Sequence, residues 1–273
     1  MEKQTLTHII GEGFVVDRGL VLSPNPDDYP PHIHDAWEVL FLLRGNVSYK
    51  VEGKKYQLKR GNLVLTRPSV FHQIQPTHES TYERYNIIID PRIIPRAIKD
   101  RLPCADVFSC REEHRIFDLF ERFDDYSQEN DKELLLRLCD NIIEEILYNL
   151  TIIAPMAKND MASNPLVNKA LAYIDEHLAG ISGIDEICEN LYITKSHLHH
   201  LFSKELGVSP KQYITSKRLM LAQKLIRHGK KATEAAVEVG YEDYATFFRN
   251  YKKQFGFSPS EQLSTLTERL ILA

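Results

Sequence analysis

Apolar positions change their period along the 273-residue chain, and each change marks a change of architecture. From about residue 13 to 90 they alternate with polar ones in short runs: Trp37–Leu43, Val47–Val51, Tyr56–Leu58, Leu63–Leu65, Phe71–Ile74 and Tyr82–Ile89. Side chains two apart on a strand share a face, so these runs predict β-strands, with Glu52-Gly53 and Arg60-Gly61-Asn62 as turns. Many short strands at this spacing predict a sandwich or barrel. Beyond Pro95 the period lengthens. Ile116, Leu119, Phe120 and Phe123, then Leu135, Leu138, Ile142, Ile146 and Leu150, fall at helical spacing and predict amphipathic helices over 112–127 and 131–152. Such stripes either cover their own core or form a dimer seam, and the pattern alone leaves both open.

Periodicity lapses over residues 154–165, where small, polar and helix-breaking residues cluster, so this stretch reads as a linker. It divides a β-rich domain, 1–153, from an all-helical one, 166–273, which makes the chain an α+β two-domain protein. In the second domain helical spacing runs from Leu166 to Leu178. A near-repeat follows: Phe202-Ser-Lys-Glu-Leu-Gly-Val-Ser-Pro210 returns as Tyr251-Lys-Lys-Gln-Phe-Gly-Phe-Ser-Pro259. Each copy reads as helix, turn, helix. Ile184–Leu191 turns at Tyr192-Ile193, and Thr194 caps a helix to Leu206; Ala232–Val239 turns at Gly240-Tyr241 into a helix from about Asp243 to Phe255. Cys188 and Ala236 are the small residues a close helix crossing requires, and Gly207 and Gly256 suit helix ends. Ser209-Pro210 with Gln212, and Ser258-Pro259 with Glu261, read as capping boxes. Between the copies Pro210–His228 reads as a single helix, about 28 Å long at 1.5 Å per residue. That approaches the roughly 34 Å between successive major-groove faces on one side of B-DNA.

Charge changes the picture only when divided by domain. The whole chain carries 34 basic and 38 acidic residues, net −4, but Lys195–Lys253 carries 12 basic and 5 acidic, net +7. Helix phase turns Leu198, Leu201, Phe202, Phe247 and Tyr251 inward. It leaves Lys195, Ser196, His199 and His200 outward on one second helix and Ala245, Thr246, Phe248 and Arg249 outward on the other. Arg249 suits guanine O6 and N7, Phe248 either a thymine methyl or the core, and Lys204, Lys252 and Lys253 suit phosphates. Two unlike copies on a rigid spacer predict an asymmetric site about two turns long.

The helical half, above all Ala236-Val-Glu-Val-Gly-Tyr241, Phe247, Tyr251-Lys-Lys253, Phe255-Gly256 and Ser258-Pro259, resembles the AraC/XylS family of transcription regulators, and the likeness of domain order extends over nearly the whole chain. The resemblance implies base contacts at the outward positions, a small-molecule effector such as a sugar inside the β-barrel, and RNA polymerase as a partner if the chain is an activator. Trp37, His72 and Tyr85 are the candidate effector residues, since aromatic faces suit sugar rings. A homodimer through helices 112–127 and 131–152 is expected. The β-domain also resembles the cupin superfamily, through His32, His34 and Glu38 in the spacing HxHxxxE and a second region from Gly61 through Pro68 to His72. Metal-binding cupins hold one divalent ion at positions matching His32, His34, Glu38 and His72. Three imidazoles and a carboxylate suit Fe, Mn, Ni or Zn. Cupin-like sensory domains also keep such residues for hydrogen bonding alone, and the expectation is no cofactor.

The competing functional readings are a metal-dependent cupin enzyme with a helical appendage and a regulator whose first domain only dimerises. Cys104, Cys110, Cys139 and Cys188 lack zinc or disulfide spacing and are expected as free thiols. No run approaches the roughly 18 apolar residues of a membrane span, and no apolar signal region opens the chain, so a soluble cytoplasmic protein is expected.

Overall fold

Strands form where the alternation demands them. A computed structural model describes residues 2–77, 80–103, 106–156 and 161–261. In it β1 (Glu2–Ile10), β2 (Phe14–Leu22), β3 (Trp37–Arg44), β4 (Val47–Val51), β5 (Lys54–Leu58), β6 (Asn62–Thr66), β7 (His72–Pro76), β8 (Tyr82–Ile89), β9 (Val107–Ser109) and β10 (Met161–Ser163) pair antiparallel in two sheets. One sheet runs β1-β2-β8-β3-β6-β9 and the other β10-β5-β4-β7. The tight β4–β5 hairpin turns on Glu52 and Gly53, both at positive φ (39° and 77°). Such a two-residue turn matches the right-handed twist of its strands.

Alternation sorts the side chains of β3 into two cores. Leu40 and Leu42 face the four-stranded sheet with Val47, Tyr49, Leu58 and Tyr82. Val39 and Phe41 face the opposite way, toward α2 (His114–Tyr126) and α3 (Lys132–Leu150), where Phe41 stacks on Phe120 at 4.5 Å between centroids. The two helices therefore cover the outer face of the six-stranded sheet. A short α1 (Arg96–Lys99) precedes them.

The helical half follows the predicted order: α4 (Pro165–His177), α5 (Ile184–Leu191), α6 (Lys195–Leu206), α7 (Pro210–Arg227), α8 (Ala232–Glu238) and α9 (Tyr244–Phe255). Thr194 caps α6 by accepting from His197 N, and Asp243 caps α9 by accepting from Ala245 N and Thr246 N. Both helices end on a left-handed glycine, Gly207 at φ 72° and Gly256 at φ 79°. Arg218, on α7, ties the two units together. Its guanidinium donates to the carbonyls of Leu178 and Ile181 beside the first unit and of Gly240 in the second, at 2.9, 2.7 and 3.1 Å.

Several elements differ from the sequence-based expectation. β1 lies ahead of residue 13, and its polar character as an edge strand concealed it. The expected linker, 154–165, is partly ordered into the fold: Pro155 bridges Phe108, Met161–Ser163 pairs with β5, and Asn164 caps α4 by accepting from Leu166 N and Val167 N. No helix begins at Ser258-Pro259 within the described residues, although Glu261 accepts from Ser258 N as a capping box requires. Cys110, Cys139 and Cys188 are free thiols, while Cys104 lies outside the described residues.

Candidate nucleic-acid interface and effector cavity

Burial divides α6 and α9 as helix phase requires. Leu198, Leu201, Phe202, Phe247 and Tyr251 are buried in the helical core, whereas Lys195, Ser196, His199, His200, Ala245 and Arg249 are exposed. Phe248 is 36% exposed and edges against Tyr244, so it stays outside the helical core. Thr246 is half-buried. Lys204, Lys252 and Lys253 are exposed near the C-terminal ends of the same helices. Two of the outward residues have intramolecular partners. Lys195 pairs with Asp185 at 2.6 Å, and Arg249 donates to Thr246 Oγ1 at 3.1 Å, whose hydroxyl in turn donates to the cap residue Asp243 at 2.6 Å. That second chain orients the guanidinium along the exposed face of α9.

Trp37, His72 and Tyr85 do not converge. Trp37 and Tyr85 occupy the outward-facing set of the six-stranded sheet and join the core against α2 and α3. Tyr85 donates to Asp124 on α2 at 2.6 Å. Their strand parity turns them out of the barrel, so they do not line its interior as expected. Aliphatic side chains with Tyr49 and Tyr82 fill the space between the sheets.

Two cavities lie between the two halves of the molecule. One, of about 580 Å³, is walled by His32, His34, Glu38, Asn86 and Ile88 on the β side and by Ser216, Met220, Gln223, Arg227 and Phe255 on the helical side. A second, of about 820 Å³, takes in Trp37, Asp90 and Arg92 together with Lys224, Arg227 and Tyr251. Asp35 and Arg227 form an ion pair and line both. Asn86, which lines the first, and Trp37, which lines the second, each carry a buried polar atom, Oδ1 and Nε1, with no hydrogen-bond partner among the described residues. An orphaned buried acceptor or donor costs about 1–3 kcal/mol.

His32, His34, Glu38 and His72 do converge, with one ligand atom from each lying within 4.8 Å of every other. Glu38 Oε2 stands 3.0 Å from His34 Nε2 and 2.9 Å from His72 Nε2. No strand carries His32 and His34. Residues 30–36 are irregular apart from a bridge between His32 and His72, yet the two imidazoles still turn the same way. All three Nδ1 atoms face backbone carbonyls, of Pro30, Ala36 and Val70, at 3.1, 3.1 and 3.0 Å. A carbonyl can only accept, so each Nδ1 carries a proton and each Nε2 is left turned toward the cluster. His32 opens onto the cavity, and burial together with the neighbouring His72 pushes it down to about 4. Burial alone would raise the Glu38 carboxyl, but the His34 and His72 imidazoles outweigh it and hold that group well below its usual range. The donor set thus fits a divalent transition metal: three imidazoles, one carboxylate, and a carbonyl behind each ring as the orienting partner such ligands require.

The halves meet through residues that sequence reasoning passed over. The hairpin residue Glu52 accepts from Tyr213 Oη at 3.0 Å and from Lys217 Nζ at 3.1 Å, both on α7. Lys217 also donates to the Ser69 carbonyl at 3.1 Å. Phe71 stacks on Tyr213 at 4.9 Å, and with Ile33 it belongs to the hydrophobic core of the helical half. A turn residue with an unfavourable backbone conformation was the only signal available at Glu52.

A β-domain with a cavity at its junction to paired helix-turn-helix units defines a two-domain DNA-binding regulator, and sequence comparisons give it a family. The description "AraC-like ligand binding domain" matches residues 22–138, and "Helix-turn-helix domain" matches residues 187–264. The HTH-type transcriptional activator RhaS of Escherichia coli is 22% identical over 249 residues, 86% of this chain and 87% of RhaS. Among solved structures, unsaturated fatty acid-bound ToxT from Vibrio cholerae covers 95% of this chain and 99% of its own at 14% identity and a TM-score of 0.38. The C-terminal domain of AraT, a response regulator from Geobacillus stearothermophilus, covers 37% of this chain and 89% of its own at 27% identity and a TM-score of 0.34. The chain belongs to the AraC family of transcription regulators.

Proposed function

We propose that α6 and α9 read two unlike half-sites in successive major grooves and that an effector bound between the halves controls them. The observation that carries this reading is the pair of second helices, each capped at its start and glycine-ended, with apolar faces buried and Ser196, His199, His200, Ala245 and Arg249 left exposed. The 18-residue α7 between them spans about 27 Å, close to one turn of B-DNA. Lys204, Lys252 and Lys253 are assigned to phosphates, and Lys195 after release from Asp185. A gel shift with DNA upstream of the chain's own and neighbouring genes tests this. Arg249→Ala, folded as judged by circular dichroism, is expected to lose about 1–3 kcal/mol of specific binding, roughly 5- to 150-fold; unchanged binding removes Arg249 from base readout.

The cavity of about 580 Å³ is of a size for a small metabolite, and its walls come from both halves. Polar lining residues from both halves, among them Asn86, Ser216 and Gln223, suit a hydroxyl-bearing effector such as a sugar. Thermal-shift screening against sugars and other metabolites identifies the effector by a raised melting temperature, since a ligand of the folded state stabilises it by mass action. The remaining assignments follow from this role: regulation without catalysis, action in the cytoplasm where DNA lies, a homodimer, and RNA polymerase as a partner if the chain activates as the name of RhaS states for that relative.

A further inference from the structure

The exposed face of α9 is apolar where that of α6 is polar. Counted from the caps Thr194 and Asp243, Tyr244 and Phe248 on α9 stand where Lys195 and His199 stand on α6. One helical turn separates the two aromatic residues, so they share a face; they are 40 and 36% exposed, with ring centroids 6.4 Å apart. Neither ring is needed to close the core, which Phe247 and Tyr251 fill from the same helix. Tyr244 leans on Phe247 at 5.7 Å between centroids, which steadies its ring at the start of the helix. The surroundings of this pair carry one sign of charge. Between Tyr244 and Lys253 the chain has Arg249, Lys252 and Lys253 and no acidic residue. An apolar patch framed by cations alone fits a surface that sets apolar groups within dense negative charge. The major groove of DNA offers that combination at thymines, whose C5 methyl is the apolar group on its base edges. Residues at the start of a recognition helix are the ones that reach base edges. Two base-pair steps rise about 6.8 Å, close to the 6.4 Å between the rings.

We propose that Tyr244 and Phe248 read thymine C5-methyl groups, so that the half-site of α9 carries two thymines about two base-pair steps apart, beside the guanine assigned to Arg249. The half-site of α6 is then read through polar groups, and the two halves of the DNA site differ in chemistry as well as in sequence. The inference rests on the reading of α9 as a DNA recognition helix.

In the test, full-length protein selects duplexes from a random library, and the enriched sequence becomes the probe. Each thymine of the probe is replaced in turn by uracil, which removes the C5 methyl and keeps the base pairing. Loss of one contacted methyl is expected to lower affinity about fourfold, at two thymines of one half-site. A Tyr244→Ala, Phe248→Ala double variant, folded as judged by circular dichroism, is expected to bind the thymine and uracil probes equally at those two positions. That cycle separates direct contact from any effect of the methyl on DNA shape. Wild-type affinity unchanged by every uracil overturns the proposal whether or not the variant folds, and so does a uracil penalty that persists in full in the variant. Enrichment of no sequence at all overturns the regulator reading and this inference with it. Enrichment of a site without uracil-sensitive thymines overturns this inference and leaves DNA reading by α9 standing.

Discussion

At the scale of single residues, Arg218 carries more structural weight than its position on α7 suggests. Its half-buried guanidinium satisfies carbonyls on both sides of α7, which the chain would otherwise leave against an apolar core. Removing a donor from buried acceptors costs about 1–3 kcal/mol, more when the donor is charged. Arg218→Ala is therefore expected to destabilise the helical half by about 3 kcal/mol, and Arg218→Lys to restore only part of this, because one ammonium cannot span three diverging carbonyls. Thermal denaturation of the three proteins checks it; equal melting temperatures would remove the bridging role. Nothing in the sequence separates Arg218 from the basic residues around it, since its partners come from loops some 40 and 22 positions away. Arg249, by contrast, was legible: a basic residue on the polar face of a capped helix has few places to point except solvent.

At the scale of elements, legibility followed periodicity and capping. α6, α7 and α9 match their expected positions closely because Thr194, Ser209 and Asp243 mark starts that local hydrogen bonds alone determine. β1, β9 and β10 went unread because edge and short strands depend on partners remote in sequence. Strand parity also decided the fate of Trp37 and Tyr85, which the family resemblance placed inside the barrel and geometry turns to the outer face of the six-stranded sheet. The two helices after the barrel posed a choice between covering the core and forming a dimer seam, and α3 does the first without excluding the second. Ile142, Ile146 and Leu150 are buried, whereas Leu134, Tyr148 and Ile152 at its outer edge are 45, 49 and 55% exposed. Exposed apolar side chains aligned on one helix favour a partner surface. A Leu134→Asp, Tyr148→Asp double variant is expected to run as a monomer in light scattering with its melting temperature little changed. A wild-type monomer would rule out this seam.

At the scale of the molecule, control of DNA reading by an effector requires the two halves to be coupled, and the coupling cannot exceed the free energy of their docking. Phe71 isolates that term. It stems from the β-domain yet contributes to neither of that domain's cores, and its ring is buried wholly against Tyr213 and the helical core. Phe71→Ala should therefore spare the fold of both halves and weaken their attachment by about 3 kcal/mol, roughly a hundredfold in the docked-to-undocked ratio. The Glu52–Lys217 and Asp35–Arg227 pairs are mostly buried, so desolvation offsets much of their attraction and they do not replace the lost packing of Phe71. If the effector acts through docking, its influence on DNA affinity must then shrink toward none, while the intrinsic affinity of α6 and α9 for their half-sites persists. Gel-shift titrations with and without effector, on wild type and Phe71→Ala, measure the ratio directly. An effector response that survives Phe71→Ala in full would mean that the signal reaches the recognition helices by a route other than this interface.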